Sequence, residues 1–327
     1  MGRLAITGTA SFLGSRLLRR LVEERGGDEV VAVDIAPPPA ALRGVRFREL
    51  DLTRPAADQR LLDLLKEDGV DTVVHMAYFT TPRRDTSHVH ELESIGTLGV
   101  LAAAAAAGVE HFVMRSFTAV YGARGQNPSF LTEDRPLLPD PSLGWVRDKL
   151  EAEQHAAVFA KRYPQMSVTV LRFAPLFGPR VRNFYTRIFD NRVVPVLMGY
   201  DPLVQLLHPD DALDAAERAV RKARKGAYNV VPRSSISLVT ALHLAEKIPV
   251  SVPHPAAYVV SDLLWAAGLV EAPGGFVDYV RYPFVADGEK AERELGFKAR
   301  YGSRDALMEY LRYRYPEGAG RLAEARA

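Results

Sequence analysis

The 327-residue chain contains no cysteine. That absence excludes disulfides, thiolate metal ligands and a cysteine nucleophile, and it makes a reducing compartment, the cytoplasm, the expectation. Charge imbalance is scarce too: 42 basic residues stand against 40 acidic ones, a formal net charge of +2. Composition therefore supplies no pull toward nucleic acid or an anionic membrane surface. No uninterrupted apolar run approaches the roughly 18 residues of a membrane span. The best candidate, residues 256–270, is broken by Ser261 and Asp262. The first apolar strand starts near residue 3, so no secretory leader is expected. His, Asp and Glu nowhere recur at metal-ligand spacing, so no metal is expected, and a GxSxG elbow is missing. No repeat shows at a period of roughly 20–50 residues. What remains, 47% hydrophobic and 25% charged residues, suits one large domain or two modest ones.

Residues 3–36 organise the rest. Leu4-Ala5-Ile6 is a short uncharged apolar run, as in a strand buried on both faces. It leads into Thr7-Gly8-Thr9-Ala10-Ser11-Phe12-Leu13-Gly14, and then Leu13, Leu17, Leu18 and Leu21 recur at helical spacing. A second apolar strand, Val30-Val31-Ala32-Val33, stops at Asp34. Strand, glycine turn, helix, strand and acid form a dinucleotide site: Gly8 permits the tight turn, Gly14 allows close helix–strand packing, and the helix N-terminus faces a pyrophosphate. Ser11 holds the middle glycine's place but is small enough to keep the backbone near the phosphates. A carboxylate at Asp34 accepts both adenosine ribose hydroxyls and repels a 2′-phosphate. Ile35 and Ala36 bring no arginine, so NAD is expected over NADP.

The alternation continues. Residues 45–50 read as a strand ending at Asp51-Leu52-Thr53, a leucine-rich helix follows, and residues 70–76 form the next buried strand. Residues 102–107 are six consecutive alanines with Gly108 at the C-cap position, which predicts a helix that packs closely. Strands at 112–114 and 168–171 flank a helix over 145–162. This rhythm predicts a parallel, doubly wound sheet with its ligand at the strands' carboxyl ends. After Leu171, prolines at 175, 179, 195, 202 and 209 punctuate shorter segments. The expected division is a dinucleotide-binding domain, 1–174 plus 203–233, and a smaller mixed α/β substrate domain, 175–202 plus 234–327.

Seven motifs in order resemble the extended short-chain dehydrogenase/reductase family, the group of nucleotide-sugar epimerases and dehydratases with a Rossmann-type fold. Thr7-Gly8…Gly14 is similar to its TGxxGxxG loop, Asp51-Leu52-Thr53 to its adenine-ring motif, and Val74-His75-Met76-Ala77 to the strand end lying along the cofactor. Gly96-Thr97, Val120-Tyr121-Gly122, Leu171-Arg172-Phe173…Phe177-Gly178-Pro179-Arg180 and His208-Pro209-Asp210-Asp211 resemble later motifs, with Tyr228-Asn229-Val230 like the strand that follows. The resemblance implies cofactor contacts from Gly8, Ala10, Ser11, Phe12, Leu13, Gly14, Asp34, Asp51, Leu52, Met76, Ala77 and Lys149. It also implies a homodimer through the helices at 95–107 and 145–162.

The family's chemistry uses an Asn, a Ser or Thr, and a Tyr and Lys spaced four apart on one helix. Here that helix reads Trp145-Val146-Arg147-Asp148-Lys149, so the Lys is present and the Tyr is not. Counting back from the neighbouring motifs places Phe117 where Ser or Thr belongs and Glu93 where Asn belongs. An indole N–H donates but does not ionise usefully, and a phenyl ring does neither. Lys149 is expected to hold the nicotinamide ribose, with Trp145 as an apolar wall. Tyr121 and Tyr78 are the nearest other phenols, each also readable as packing. Thr118 and Ser116 flank Phe117, although strand alternation turns neighbours to opposite faces. Arg180, Arg182, Arg187 and Arg192 are either a diphosphate site or solvated charge, and Pro175 replaces a common substrate-binding Asn. Two functions follow: an NAD-binding relative with a degenerate site that is a sensor, scaffold or silent relative, or an NAD-dependent oxidoreductase, epimerase or dehydratase with a relocated acid/base acting on a nucleotide-sugar-like or other small hydroxylated substrate.

Overall fold

Seven short segments pair side by side into one parallel sheet. The first elements are β1 (Arg3–Thr7), α1 (Phe12–Arg25), β2 (Val30–Asp34), β3 (Arg46–Glu49), α2 (Ala57–Glu67) and β4 (Val70–His75). A helical stretch follows, made of α3 (Thr86–His90), a π-turn segment Glu91–Gly96 and α4 (Thr97–Ala107). It leads to β5 (His111–Phe117), α5 (Gly144–Arg162) and β6 (Ser167–Phe173). Then come α6 (Phe184–Ile188), β7 (Val193–Leu197), β8 (Leu203–Val204), α7 (Pro209–Lys222) and β9 (Gly226–Val230). The last elements are β10 (Ile236–Ser237), α8 (Leu238–Leu244), β11 (Ile248–Val252), α9 (His254–Ala266) and α10 (Ser303–Arg314). The structure, a computed structural model, describes residues 2–37, 42, 44–140, 142–270 and 272–316. The end of the expected second domain, 317–327, lies outside the described residues.

The sheet order is β3-β2-β1-β4-β5-β6-β9, with every neighbour parallel. This is the doubly wound, Rossmann-type α/β fold expected from the sequence. The chain winds outward from β1 to β3, then returns to place β4 against the other side of β1. That reversal opens a crevice at the carboxyl ends of β1 and β4. The middles of β1 and β2 are apolar because both faces are covered: Leu4 and Ile6 pack with Leu17, Leu18 and Leu21 of α1, whereas Ala5, Val31 and Val33 join the opposite cluster.

The alanine run forms α4, and its small side chains let it pack against α2 and α5, with Ala103 and Ala104 buried. Gly108 closes it at φ +78°, where the Val109 N–H donates to the Ala104 carbonyl at 3.0 Å. A separate apolar cluster, including Phe177, Phe189, Val196, Leu242 and Leu307, underlies the smaller layer. There β7 pairs with β11 in parallel and β8 with β10 antiparallel. Residues 203–204 thus hydrogen-bond within this layer and not to the main sheet. Among the described residues no helix is long and apolar enough to cross a membrane.

Candidate functional site

The turn after β1 depends on two glycines. Gly8 sits at φ +76°, and a Cβ there would lie 2.5 Å from the Ala77 backbone nitrogen; one on Gly14 would lie 2.0 Å from the Gly8 carbonyl oxygen. Neither position tolerates a side chain without moving backbone. Ser11 is the N-cap of α1: its hydroxyl donates to the Gly8 carbonyl at 2.7 Å and accepts from the Gly14 N–H at 3.1 Å. The serine therefore ties the loop together. Among the described residues the Phe12 and Leu13 N–H groups have no acceptor, so the helix offers two free donors to an anion. The Asp34 carboxylate, at the tip of β2, accepts from the Ala10 N–H at 2.8 Å and the Ile35 N–H at 2.7 Å. Met76 donates its N–H to the Thr7 carbonyl at 3.1 Å and, with Ala77, presses on Gly8. The Asp51 carboxylate accepts from the Thr53 N–H and hydroxyl and from Arg54, and Leu52 packs beside Gly96. These residues surround a space suited to a dinucleotide.

The chemical end is built differently from the sequence expectation. The Lys149 Nζ donates to the Glu93 carboxylate, and both side chains are essentially inaccessible to water. Three rings close over the ammonium, with Phe117, Tyr78 and Trp145 centroids 4.5, 5.1 and 5.2 Å away. The other Glu93 oxygen accepts from the Phe79 N–H at 2.8 Å. Burial lowers the Lys149 pKa to about 8 against the attraction of Glu93, and burial pushes the Glu93 carboxyl up. The Lys149 ammonium is held by Glu93, the residue at the position where the family places its asparagine. The π-turn segment, followed by α4, is what turns Glu93 inward.

Trp145 stands among aromatic rings. Its ring lies 5.1 Å from Phe117 and 5.9 Å from Phe276, and its Nε1 is buried without a partner. Trp145, Phe117 and Thr118 line one cavity of about 230 Å³ together with Ser11, Phe12 and Leu13 of the glycine loop. Thr118 reaches it because β5 stops at Phe117 and the backbone turns, so strand alternation no longer applies there. Tyr121 lies away from the cavity, where its hydroxyl donates to Asn229 at 2.8 Å and accepts from Arg172 at 2.7 Å. Tyr78 borders the cavity, but its hydroxyl meets Thr97 at 3.2 Å and burial pushes its pKa far up. His75, between Thr7 and Thr97, is held neutral by burial, its pKa lowered to about 3.

Ligand spacing absent from the sequence occurs once in space among the described residues, where His90, Asp148 and Glu151 converge. Arg147 reaches both carboxylates, at 3.4 and 3.8 Å, which makes the group an ion-pair network. Sequence reasoning missed Arg115, Tyr185 and Asn183 in the cavity wall. Arg115 had a visible signal, a charge inside the buried strand Phe112-Val113-Met114-Arg115-Ser116. The other two lie in the proline-punctuated region, where periodicity carries no information.

A family model described as NAD dependent epimerase/dehydratase matches residues 4–231. The chain belongs to that family. An uncharacterized protein of Mycobacterium tuberculosis is 31% identical over 316 residues, covering 94% of this chain and 83% of the relative. The dTDP-glucose 4,6-dehydratase of Streptomyces griseus is 29% identical over 334 residues, 93% of this chain and 91% of that enzyme. The solved structure of MoeE5 in complex with UDP-glucuronic acid and NAD superimposes at TM-score 0.73 with 26% identity, covering 97% of this chain and 100% of that one. NAD is the cofactor of the NAD-dependent epimerase/dehydratase family, and the glycine turn, the free α1 amides and Asp34 fit it.

Proposed function

We propose that this member of the family binds NAD but does not run tyrosine-dependent hydride and proton transfer on a nucleotide sugar, and acts as a sensor, scaffold or silent relative. The observation that carries this reading is the Lys149 ammonium, buried on Glu93 beneath Phe117, Tyr78 and Trp145, with no phenol hydrogen-bonded to it. A positioned acid/base contributes about 10²–10⁴ in rate, and here its seat is an indole. Phe117 and Trp145 also fill the space a sugar hydroxyl would need. Nucleotide sugars are what MoeE5 binds and what the dehydratase's name carries, and an apolar wall is a poor match to them. A second reading, turnover with a relocated acid, has one observation in its favour: Tyr185 lines the cavity and burial keeps its phenol protonated.

The test combines calorimetry with turnover. NAD(H) is expected to bind more tightly than NADP(H), and Asp34→Ala to weaken NAD binding by about 1–3 kcal/mol, the worth of bonds to a charged acceptor. UDP- and dTDP-sugars are expected to give neither NADH absorbance nor an altered sugar by mass spectrometry. Turnover of such a sugar, abolished by Tyr185→Phe, would establish the second reading and overturn the first.

The same proposal includes a cytoplasmic homodimer. Its support is the pair of exposed apolar side chains Ile95 and Val158 on the α4 and α5 side of the sheet. Light scattering at micromolar concentration is expected to give twice the chain mass; a monomer would remove the dimer.

A further inference from the structure

Two arginines are buried in neighbouring strands, and the chain treats them oppositely. Arg172 on β6 is 5% exposed and fully partnered: its guanidinium donates to both Glu153 oxygens, at 2.7 to 3.1 Å, and to the Tyr121 hydroxyl. Arg115 on β5 is 6% exposed, yet its Nε is buried without a partner, and among the described residues its guanidinium enters no ion pair. Burial lowers its pKa, and the nearest carboxylate acting on it, Glu93, is already bonded to Lys149 and to the Phe79 N–H. An unpaired buried cation is strongly unfavourable, because the lost hydration is not replaced. Such a group persists where a ligand completes it. Arg115 lines the cavity described above.

The chemistry of the cavity narrows that ligand. Arg115 supplies a planar fork of donors that matches a carboxylate bidentately. Around it stand the rings of Phe12, Phe117 and Trp145 and the side chains of Leu13 and Leu176. Its volume of about 230 Å³ lies below the roughly 300–1,000 Å³ of sites holding drug-sized ligands. That size favours a ligand smaller than a nucleotide sugar. The dinucleotide's diphosphate has its own donors in the free Phe12 and Leu13 amides, so it does not need Arg115.

We propose that the cavity binds a small planar aromatic carboxylic acid, its carboxylate on the Arg115 guanidinium and its ring against Phe117 and Trp145. This rests on the reading that the cavity is the substrate side of an NAD site. It replaces the family's hydroxyl recognition by a buried guanidinium and an aromatic slot, with Arg83 and Arg182 also in the lining.

The experiment titrates NAD-loaded protein with cinnamate and with its neutral isostere cinnamamide, by calorimetry and by quenching of tryptophan fluorescence in a Trp265→Phe background, which leaves Trp145 as the emitter. Cinnamate is expected to bind about tenfold or more tightly than cinnamamide, the worth of a bond to a charged group. Arg115→Met is expected to remove that preference, leave cinnamamide and NAD binding unchanged, and raise the melting temperature of the unliganded protein, since it relieves the buried charge. Arg115→Lys is expected to restore part of the preference. Equal binding of the two probes, or no binding of either, overturns the proposal. So does an Arg115→Met variant that loses NAD affinity and keeps the preference for cinnamate, which would assign the arginine to the dinucleotide. If the protein takes up no NAD yet binds cinnamate through Arg115, the NAD reading fails and the carboxylate site stands.

Discussion

Glu93→Gln is expected to lower the free energy of unfolding by about 3–5 kcal/mol, the typical effect of removing one partner of a buried ion pair. The amide retains the shape of the side chain and the bond to the Phe79 N–H, so the loss reports the stranded Lys149 ammonium. Lys149→Met alone strands Glu93 and is expected to have a similar effect. The double substitution Glu93→Gln with Lys149→Met removes both charges. It is expected to return the protein to within about 1 kcal/mol of the parent or above it, because the pair's attraction barely offsets its lost hydration. The pair also has a pH signature. The folded Lys149 pKa, about 8, lies below its ordinary value of 10.5. Between those values the unfolded lysine keeps a proton that the folded one has released, so unfolding takes up a proton and stability rises with pH. Urea denaturation of the parent minus that of the double variant, between pH 8 and 10.5, is expected to show this rise. A Glu93→Gln effect under about 1 kcal/mol, the worth of an exposed pair, would mean that water reaches the site.

This pair marks where sequence legibility stops. The glycine loop, Asp34 and the strand-end residues Met76 and Ala77 were readable because each role is local. Gly8 and Gly14 are fixed by what their own backbone must approach, and Asp34 by its place at the tip of β2. That Trp145 and Phe117 come close together was readable because helix and strand positions are counted from nearby motifs. The Lys149–Glu93 pair was not legible because the two residues lie 56 positions apart and meet only in the folded chain. Thr118 was turned outward by a strand rule that had ceased to operate one residue earlier. Arg115 stood in plain view as a charge in an apolar strand, but only the tertiary structure shows that among the described residues it enters no ion pair. Local backbone demands are written in sequence; charge pairing is settled by topology.

Trp145→Tyr returns a phenol to the position four residues before Lys149, and it is expected not to return an acid/base. A phenol becomes useful when a nearby cation holds its pKa down, typically by 1–3 units for an opposite charge within about 4–6 Å. The Trp145 ring is 5.2 Å from the Lys149 Nζ, which is near enough. But Glu93 neutralises that ammonium, and the surrounding rings of Phe117, Tyr78 and Phe276 favour the uncharged phenol. The phenol in Trp145→Tyr is therefore expected to titrate above the ordinary tyrosine range in ultraviolet difference spectra against the parent. Glu93→Asn added to it frees the ammonium and restores the residue type that the family places there. In that double variant the phenol is expected to titrate at least one unit lower than in Trp145→Tyr, provided circular dichroism shows the protein folded. Phe117→Ser then opens room for a substrate oxygen. Any gain in NAD reduction is expected only when all three substitutions are combined, on the scale of about 10²–10⁴ for a recovered general acid/base. A Trp145→Tyr variant whose phenol already titrates below the ordinary range, with Glu93 still in place, would show that Glu93 does not silence Lys149 and would return the loss of chemistry to the missing tyrosine alone.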